Sequence, residues 1–180
     1  MAHISLPDNF PGITAGFAFR PETAKPMRQL AEVLLRGPSS LTSGEREMIA
    51  SLVSYRNECV FCHASHRAAA AHNMDGDYGP VDSVCNDFTR APISPKLKAL
   101  LFIAAKVQED GRRVTADDVA TAKAAGATDV EIHDAVLIAA AFSMFNRYVD
   151  GLATFTPTDP DAYDAMGRRM AKEGYVRANV

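Results

Sequence analysis

The pattern of hydrophobic and polar positions predicts helices along the whole chain and leaves no place for a β-sheet. No segment alternates apolar and polar residues with a period of two while also being rich in β-branched side chains. Residues 97–107 and 135–145 are instead apolar around most of a helical circumference, which is typical of central helices that other helices or a second subunit cover. The sequence therefore predicts an all-α, single-domain bundle with about seven or eight helices.

Capping residues, prolines and glycines set the expected limits of these helices. A Thr followed three residues later by Glu or Asp predicts a helix start, Pro is tolerated in a first turn, and Gly favours a helix end. These signals place helices at about 22–36, 42–57, 61–72, 81–88, 96–109, 115–126, 128–149 and 160–174. Residues 1 to about 21 contain three prolines, and we expect them to form an extended arm lying on the body or on a neighbouring subunit. Residues 22–180 are expected to form the helical domain.

Charge and hydropathy exclude two classes of partner. The chain has 19 Lys and Arg against 22 Asp and Glu, and no basic run could follow a phosphate backbone, so we expect no nucleic-acid partner. The longest apolar stretch, 135–145, is shorter than the roughly 20 residues that cross a bilayer, so we expect no membrane contact. The N-terminus lacks the pattern of a secretory signal, and the expected location is therefore the cytoplasm.

Three cysteines, Cys59, Cys62 and Cys85, are the first sign of chemistry. An odd number without a secretory context argues against a structural disulfide framework. We interpret Cys85 as a small core residue, because no acid, base or second cysteine lies near it in sequence. The close C-x-x-C pair formed by Cys59 and Cys62 remains as a candidate for redox chemistry.

The residues that follow Cys59 place the second thiol and two imidazoles on the same side of a helix. At about 100° per residue, Cys62, His63 and His66 fall on one stripe with Cys59 if Cys59 opens that helix. A thiol at a helix N-terminus is favoured as thiolate by the helix dipole, which makes it reactive near neutral pH. Cysteines at i and i+3 can close a disulfide, and His66 can act as base to the thiol and acid to the leaving group.

Glu47 is the candidate partner of the histidine. On the preceding predicted helix it shares a stripe with Ser51 and Ser54, opposite the apolar residues of that helix. Small residues on this side would allow the cysteine helix to approach closely, so we expect the Glu47 carboxylate to lie against His66 and orient its ring.

These segments resemble the alkylhydroperoxidase D and carboxymuconolactone decarboxylase superfamily, most closely its peroxidase-related branch. The resemblance extends over about residues 41–155. Its most specific part is a spacing: Cys59 comes twelve residues after Glu47, Cys62 comes three residues after Cys59, and His66 comes four residues after Cys62. It implies an all-helical subunit that assembles into dimers, trimers or hexamers. It also implies a thiol-dependent reductase of hydroperoxides, and we expect neither a cofactor nor a metal.

The resemblance assigns a role to each residue of the motif. It implies that Cys62 is the attacking thiolate, that Cys59 is the resolving thiol, and that His66 with Glu47 forms the proton relay, while an external dithiol of unknown identity restores the reduced form. Founding members carry a histidine immediately before the second cysteine, where this chain has Phe61. We consider His63 as a substitute from the other side of Cys62. The decarboxylase branch lacks the cysteine pair, so its presence here argues against that branch.

Other interpretations of the motif stay open on the sequence. The dithiol could serve as a redox sensor or as a reductant of a partner protein's disulfide. Cys59, Cys62, His66 and Glu47 could bind zinc, or the cysteines could be buried in a purely structural oligomer. The string C-x-x-C-H also matches a haem attachment site, which would require export from the cytoplasm.

A second group of polar residues lies near the end of the long predicted helix. Asn146, Arg147 and Asp150 are spaced at i, i+1 and i+4, and we interpret them as a structural ion pair at a helix end.

Overall fold

Helices account for all regular secondary structure in residues 1–176, the part of the chain that the computed structural model describes. The α-helices are α1 Ile13–Phe19, α2 Pro21–Arg36, α3 Ser43–Arg56, α4 Val60–His72, α5 Gly79–Asp87, α6 Pro95–Glu109, α7 Ala116–Ala124, α8 Asp129–Gly151 and α9 Pro160–Glu173, with a 3-10 helix at Gly111–Arg113. The described chain has no strand. The predicted all-α class is therefore confirmed.

Most helices begin where their capping residues predict. Thr42, Thr115 and Thr128 each accept a hydrogen bond from the backbone amide three residues on, and the threonine amide in turn donates to the acidic side chain at that position. Ser94 caps α6 through the amide of Leu97. Each such cap stabilises its helix by roughly 1 kcal/mol, which explains why local sequence determines these boundaries.

The core lies between α3, α6 and α8, with α4 packed on α3 and α9 packed on α4. Its largest fully buried residues include Leu35, Ile49, Leu100, Ile138 and Phe142. Burying each such side chain contributes roughly 1.5–3 kcal/mol, so these contacts supply most of the free energy that holds the bundle together.

The two strongly apolar segments form α6 and α8, as their pattern predicts. Phe102 on α6 and Met144 on α8 nevertheless remain about half exposed, at 45% and 47%. The homo-oligomer expected from the sequence stays a prediction. None of the helices described here is both long enough and apolar enough to cross a membrane.

The first residues differ from the extended arm that their prolines suggest. Residues 13–19 form α1, because this apolar stretch contains no proline and lies between Pro11 and Pro21. The prediction of an extended conformation is wrong for this part. The segment does lie on the body: the Gly12 amide donates to the Phe155 carbonyl at 2.8 Å, and the His3 amide donates to Leu152 at 3.0 Å.

Candidate active site

The two cysteines of the motif lie together at the start of α4. Cys59 is the N-cap residue with extended backbone angles, and Cys62 follows in the first turn. Both are free thiols, with 0% and 4% of their surfaces exposed. A hydrogen bond with Cys62 raises the pKa of the Cys59 thiol far above its ordinary value, and burial raises it further. The sulfur atoms are therefore side by side, and Cys59 holds its proton firmly.

A tight turn between α3 and α4 brings the predicted carboxylate next to the cysteine helix. Glu58 adopts a positive φ of 58° in this turn, and the Cys59 amide donates to the Ser54 carbonyl at 3.1 Å. Ser51 and Ser54 are fully buried between the helices. Their small side chains permit the close approach that the sequence predicts.

Glu47 is completely buried and accepts hydrogen bonds from three side chains. Nδ1 of His66 lies 2.7 Å from Oε2 of the carboxylate. The hydroxyl of Tyr175 donates to Oε1 at 2.6 Å, and Nη2 of Arg36 donates to the same oxygen at 3.1 Å. A buried carboxylate needs such partners to remain charged, and here they fix its orientation. The predicted contact between Glu47 and His66 is present, while its catalytic role stays a proposal.

Aromatic rings hold the His66 imidazole in one orientation. The ring packs edge-on against Phe142, with centroids 4.5 Å apart, and lies nearly parallel to the ring of Tyr175 at an interplanar angle of 12°. Because Nδ1 binds the Glu47 carboxylate, Nε2 is the ring nitrogen left for proton transfer.

Cys62 and His66 line the same cavity, which has a volume of about 590 Å³. Ser65, Phe61 and Phe142 also form its wall, whereas Cys59 is not among the lining residues. Of the two thiols, only Cys62 therefore faces the space that a small molecule could occupy. The attacking and resolving roles that the family resemblance implies for the two thiols stay a prediction.

Phe61 replaces the expected histidine with an apolar wall. Its side chain is 4% exposed and packs against Tyr163, with ring centroids 6.1 Å apart. A Cβ built at Gly12 would lie 2.0 Å from the Phe61 ring, so only glycine permits this close approach of the N-terminal segment. Tyr163 also packs in one apolar cluster with Cys59 and Cys62, and burial raises its pKa.

His63 does not join the relay, and the hypothesis that it substitutes for the missing histidine is wrong. Its Nδ1 lies 3.1 Å from the hydroxyl of Ser51, and its ring packs on Tyr55 with centroids 5.1 Å apart. Burial lowers the pKa of His63, which favours the neutral ring. His63 follows Cys62 directly, and each residue rotates the side-chain direction by about 100° around the helix axis. This rotation is enough to direct the His63 side chain toward α3 instead of the cavity.

Two residues of the site, Arg36 and Tyr175, were not predicted from the sequence. Arg36 ends α2 and also donates to the Asn73 side chain and to the Met170 carbonyl, at 2.8 and 2.9 Å. Tyr175 follows the last helix, and its backbone amide donates to Glu32 at 2.6 Å. Both are remote from the motif in sequence, and neither carries a local signal of its role.

The remaining candidate residues have structural surroundings. Cys85 is partly buried, with its sulfur 3.9 Å from the Ser51 hydroxyl, and burial raises its pKa to about 11. Asn146 joins α8 to α3 by accepting a hydrogen bond from Asn57 and donating one to Ser54.

The prediction of an ion pair between Arg147 and Asp150 at the end of α8 is wrong. Among the described residues Arg147 forms none with Asp150 and instead donates to the carbonyl of Ser143 at 2.9 Å. The Arg147 guanidinium thus binds a backbone carbonyl one turn earlier on α8 instead of the Asp150 carboxylate three residues later.

The zinc interpretation finds no ligand set in residues 1–176. No group of three or more His, Cys, Asp or Glu side chains in that range is placed to hold a metal ion. Glu47 forms a hydrogen bond with His66, and the free thiols of Cys59 and Cys62 form one with each other.

Comparisons with known proteins agree with this geometry. The model of the carboxymuconolactone decarboxylase family matches residues 21–75, which include the Glu-Cys-Cys-His motif. The chain is similar to a solved structure from Ralstonia eutropha JMP134, described as an alkylhydroperoxidase AhpD core and an uncharacterized peroxidase-related protein. The two are 28% identical with a TM-score of 0.77, over 88% of this chain and 81% of that one.

A second solved structure extends the likeness. It is an uncharacterized peroxidase-related protein from Silicibacter sp. TM1040, 26% identical with a TM-score of 0.76, over 88% of this chain and 81% of that one. No match was found among curated proteins.

Proposed function

Because the chain belongs to the alkylhydroperoxidase D-like, carboxymuconolactone decarboxylase superfamily, in its peroxidase-related branch, we propose that it is a thiol-dependent hydroperoxide reductase. One observation carries the proposal. Cys62 and the carboxylate-bound His66 face one cavity, while the Cys59 thiol lies behind Cys62 and hydrogen bonds with it.

In the first step the Cys62 thiolate attacks the peroxide. An S–O bond forms, the O–O bond breaks, and two electrons pass from sulfur to the leaving alkoxide or hydroxide. The start of α4 favours the thiolate through the helix dipole. His66 supplies the proton that the leaving oxygen needs, and Glu47 steadies the imidazolium between proton transfers. The products are an alcohol or water and a sulfenic acid on Cys62.

In the second step Cys59 resolves the sulfenic acid. An S–S bond forms, the S–O bond breaks, and the hydroxyl of the sulfenic acid leaves as water after it takes the proton of the Cys59 thiol, which the relay can carry to it. The raised pKa of Cys59 keeps it protonated until Cys62 is oxidised, so the two thiols do not compete for the peroxide. An external dithiol then reduces the disulfide and is itself oxidised.

The burial of both sulfurs supports a small substrate over a protein disulfide. A protein disulfide must meet the attacking thiolate directly, whereas Cys59 and Cys62 are 0% and 4% exposed and only the latter borders the cavity. A peroxide or a small dithiol can enter a space of about 590 Å³.

Peroxide consumption by three cysteine variants tests the proposal. Cys62→Ser should abolish turnover, because the attacking sulfur is gone. Cys59→Ser should reduce one equivalent of peroxide and then stop at a sulfenic acid that dimedone traps. Cys85→Ser is the matched control and should retain wild-type turnover, since Cys85 does not line the cavity.

Intact-mass measurement after one equivalent of peroxide should show the loss of two hydrogens in the wild type and a Cys59–Cys62 bond on peptide mapping. Turnover that survives Cys62→Ser, or a wild-type reaction no faster than that of a free thiol of matched pKa, would contradict the proposal.

A further inference from the structure

The cavity beside Cys62 is far larger than hydrogen peroxide requires. One water occupies about 30 Å³ of liquid, and hydrogen peroxide is only slightly larger. The volume of about 590 Å³ lies instead in the range of sites that enclose organic molecules with many non-hydrogen atoms. If the proposed function holds, this space accommodates the organic part of the hydroperoxide.

The walls of the cavity are mainly apolar. The N-terminal segment and α1 contribute Phe10, Ile13 and Phe17, and the body of the bundle contributes further aromatic and methionine side chains. Phe10 is 46% exposed while it lines the cavity, so the space opens to solvent on that side. An alkyl or aromatic group that enters from solvent would bury its apolar surface against these walls. This burial favours binding by about 25 cal/mol per Å² of apolar surface removed from water.

The charged side chains that line the cavity are basic, while one carboxylate, that of Glu32, lies behind the wall and accepts from the Tyr175 amide at 2.6 Å. Apart from His66, the charged residues of the described lining are Lys25, Arg28 and Arg169, and no Asp or Glu is among them. Lys25 and Arg28 lie one turn apart on α2, where residues at i and i+3 are neighbours. Arg28 also places its guanidinium over the Phe17 ring, 5.1 Å from the centroid, so cationic and apolar surfaces adjoin.

From this combination we infer that the preferred substrate is an organic hydroperoxide with an apolar body and a carboxylate remote from the peroxide group. The peroxide end meets Cys62 and His66, the body contacts the aromatic walls, and the carboxylate is attracted by the cations of α2 and α9. The inference rests on the proposed function and adds to it the class of substrate. The chemistry remains that of a two-electron reduction, in which the hydroperoxide becomes the corresponding hydroxy acid and water while the two thiols become a disulfide.

The test compares a medium-chain ω-hydroperoxy fatty acid with its methyl ester, and both with hydrogen peroxide. The two organic substrates share the peroxide group and the chain, so the ratio of their kcat/KM values isolates the carboxylate. A charge-assisted contact in a partly desolvated site predicts a preference for the acid of about tenfold or more. The preference should decrease as ionic strength rises, because salt screens the attraction.

Variants of the cations locate the source of the preference. Arg169→Gln and the double variant Lys25→Gln with Arg28→Gln should each lower the acid-to-ester ratio at least about threefold, and the triple variant should bring it close to one. The ratio is measured within each variant, so a general loss of activity through misfolding cancels. Arg168→Gln is the control: this neighbour is 71% exposed, pairs with Asp164 and does not line the cavity, so its ratio should match the wild type.

Two failures can be told apart. If hydrogen peroxide and the ester are reduced rapidly but the acid is no better than the ester, the inferred substrate class is wrong and the peroxidase proposal stands. If none of the three peroxides reacts faster than with a free thiol, the proposed function fails and the inference fails with it.

Discussion

The hydroxyl of Tyr175 donates a 2.6 Å hydrogen bond to Oε1 of Glu47, the carboxylate whose other oxygen binds His66. The Tyr175 ring also lies nearly parallel to the imidazole. Burial raises the pKa of Tyr175 well above its ordinary value, and the Glu47 charge raises it further, so the phenol is a donor at any physiological pH. A residue beyond α9 thus fixes the carboxylate that orients the His66 ring.

We predict that Tyr175→Phe lowers kcat/KM for peroxide by roughly tenfold, the scale reported for partners that orient a functional ligand. The substitution keeps the aromatic ring and removes only the hydroxyl. Stopped-flow peroxide kinetics measures the effect.

The matched control for this prediction is Tyr78→Phe. The Tyr78 hydroxyl also donates to a carboxylate, that of Asp164 at 2.9 Å, but it does not line the cavity. If Tyr175→Phe is no slower with peroxide than this control, Tyr175 has no positioning role.

A histidine at position 61, where founding members of the family carry one, should not raise the rate with peroxide. Phe61 is buried against Tyr163 and Gly12, so an imidazole there would lose its hydration without an evident partner. We predict that Phe61→His lowers the free energy of unfolding by about 1–3 kcal/mol and does not raise the rate with peroxide. Urea unfolding and initial rates at saturating reductant check the two parts.

Phe61→Leu separates packing from polarity at this position. It keeps the side chain apolar and should cost less stability than histidine, because hydrophobic exchanges of this kind usually cost under about 1.5 kcal/mol. A histidine variant that is both as stable as wild type and faster would show that position 61 can take part in proton transfer.

The hydrogen bonds of Glu131 should make the free energy of unfolding decrease in acid. Its buried carboxylate accepts from Lys96 at 2.6 Å, from the Thr128 amide at 2.7 Å and from Ser40 at 2.9 Å. Burial acts to raise its pKa, but these hydrogen bonds outweigh burial and lower it to about 2, from an ordinary value of 4.5. A lowered folded-state pKa contributes stability that is complete above the unfolded value and is lost as pH falls toward the folded one.

We therefore predict that Glu131→Gln destabilises the fold by up to about 3 kcal/mol near neutral pH and that this difference shrinks between about pH 4.5 and pH 2. Glutamine keeps the capping geometry with Thr128 and removes the charge that pairs with Lys96. Urea denaturation of both proteins at several pH values measures the difference. Glu45→Gln, in the capping box of Thr42, is the control and should change stability by less than about 0.5 kcal/mol. A gap that stays constant as pH falls would contradict the assignment.

The amino-acid sequence alone was enough to place most of the helices, α1 excepted, and the dithiol motif, because both depend on residues that are close along the chain. Capping boxes at Thr42, Thr115 and Thr128 act over three residues, and the spacing of Cys59 and Cys62 places both thiols in one helical turn whatever surrounds them. The small residues between Glu47 and Ser54 were also sufficient to anticipate that α3 and α4 pack closely.

The groups that complete the site are selected by how the helices pack in three dimensions. The side of α4 that each histidine faces depends on the packing of α3, which leaves His66 at the cavity and turns His63 toward Ser51. Arg36 and Tyr175 reach Glu47 from positions 11 and 128 residues away. Such contacts arise from the packing of whole helices, and no local pattern encodes them, so the cavity and its cationic lining could be recognised only once the chain was folded.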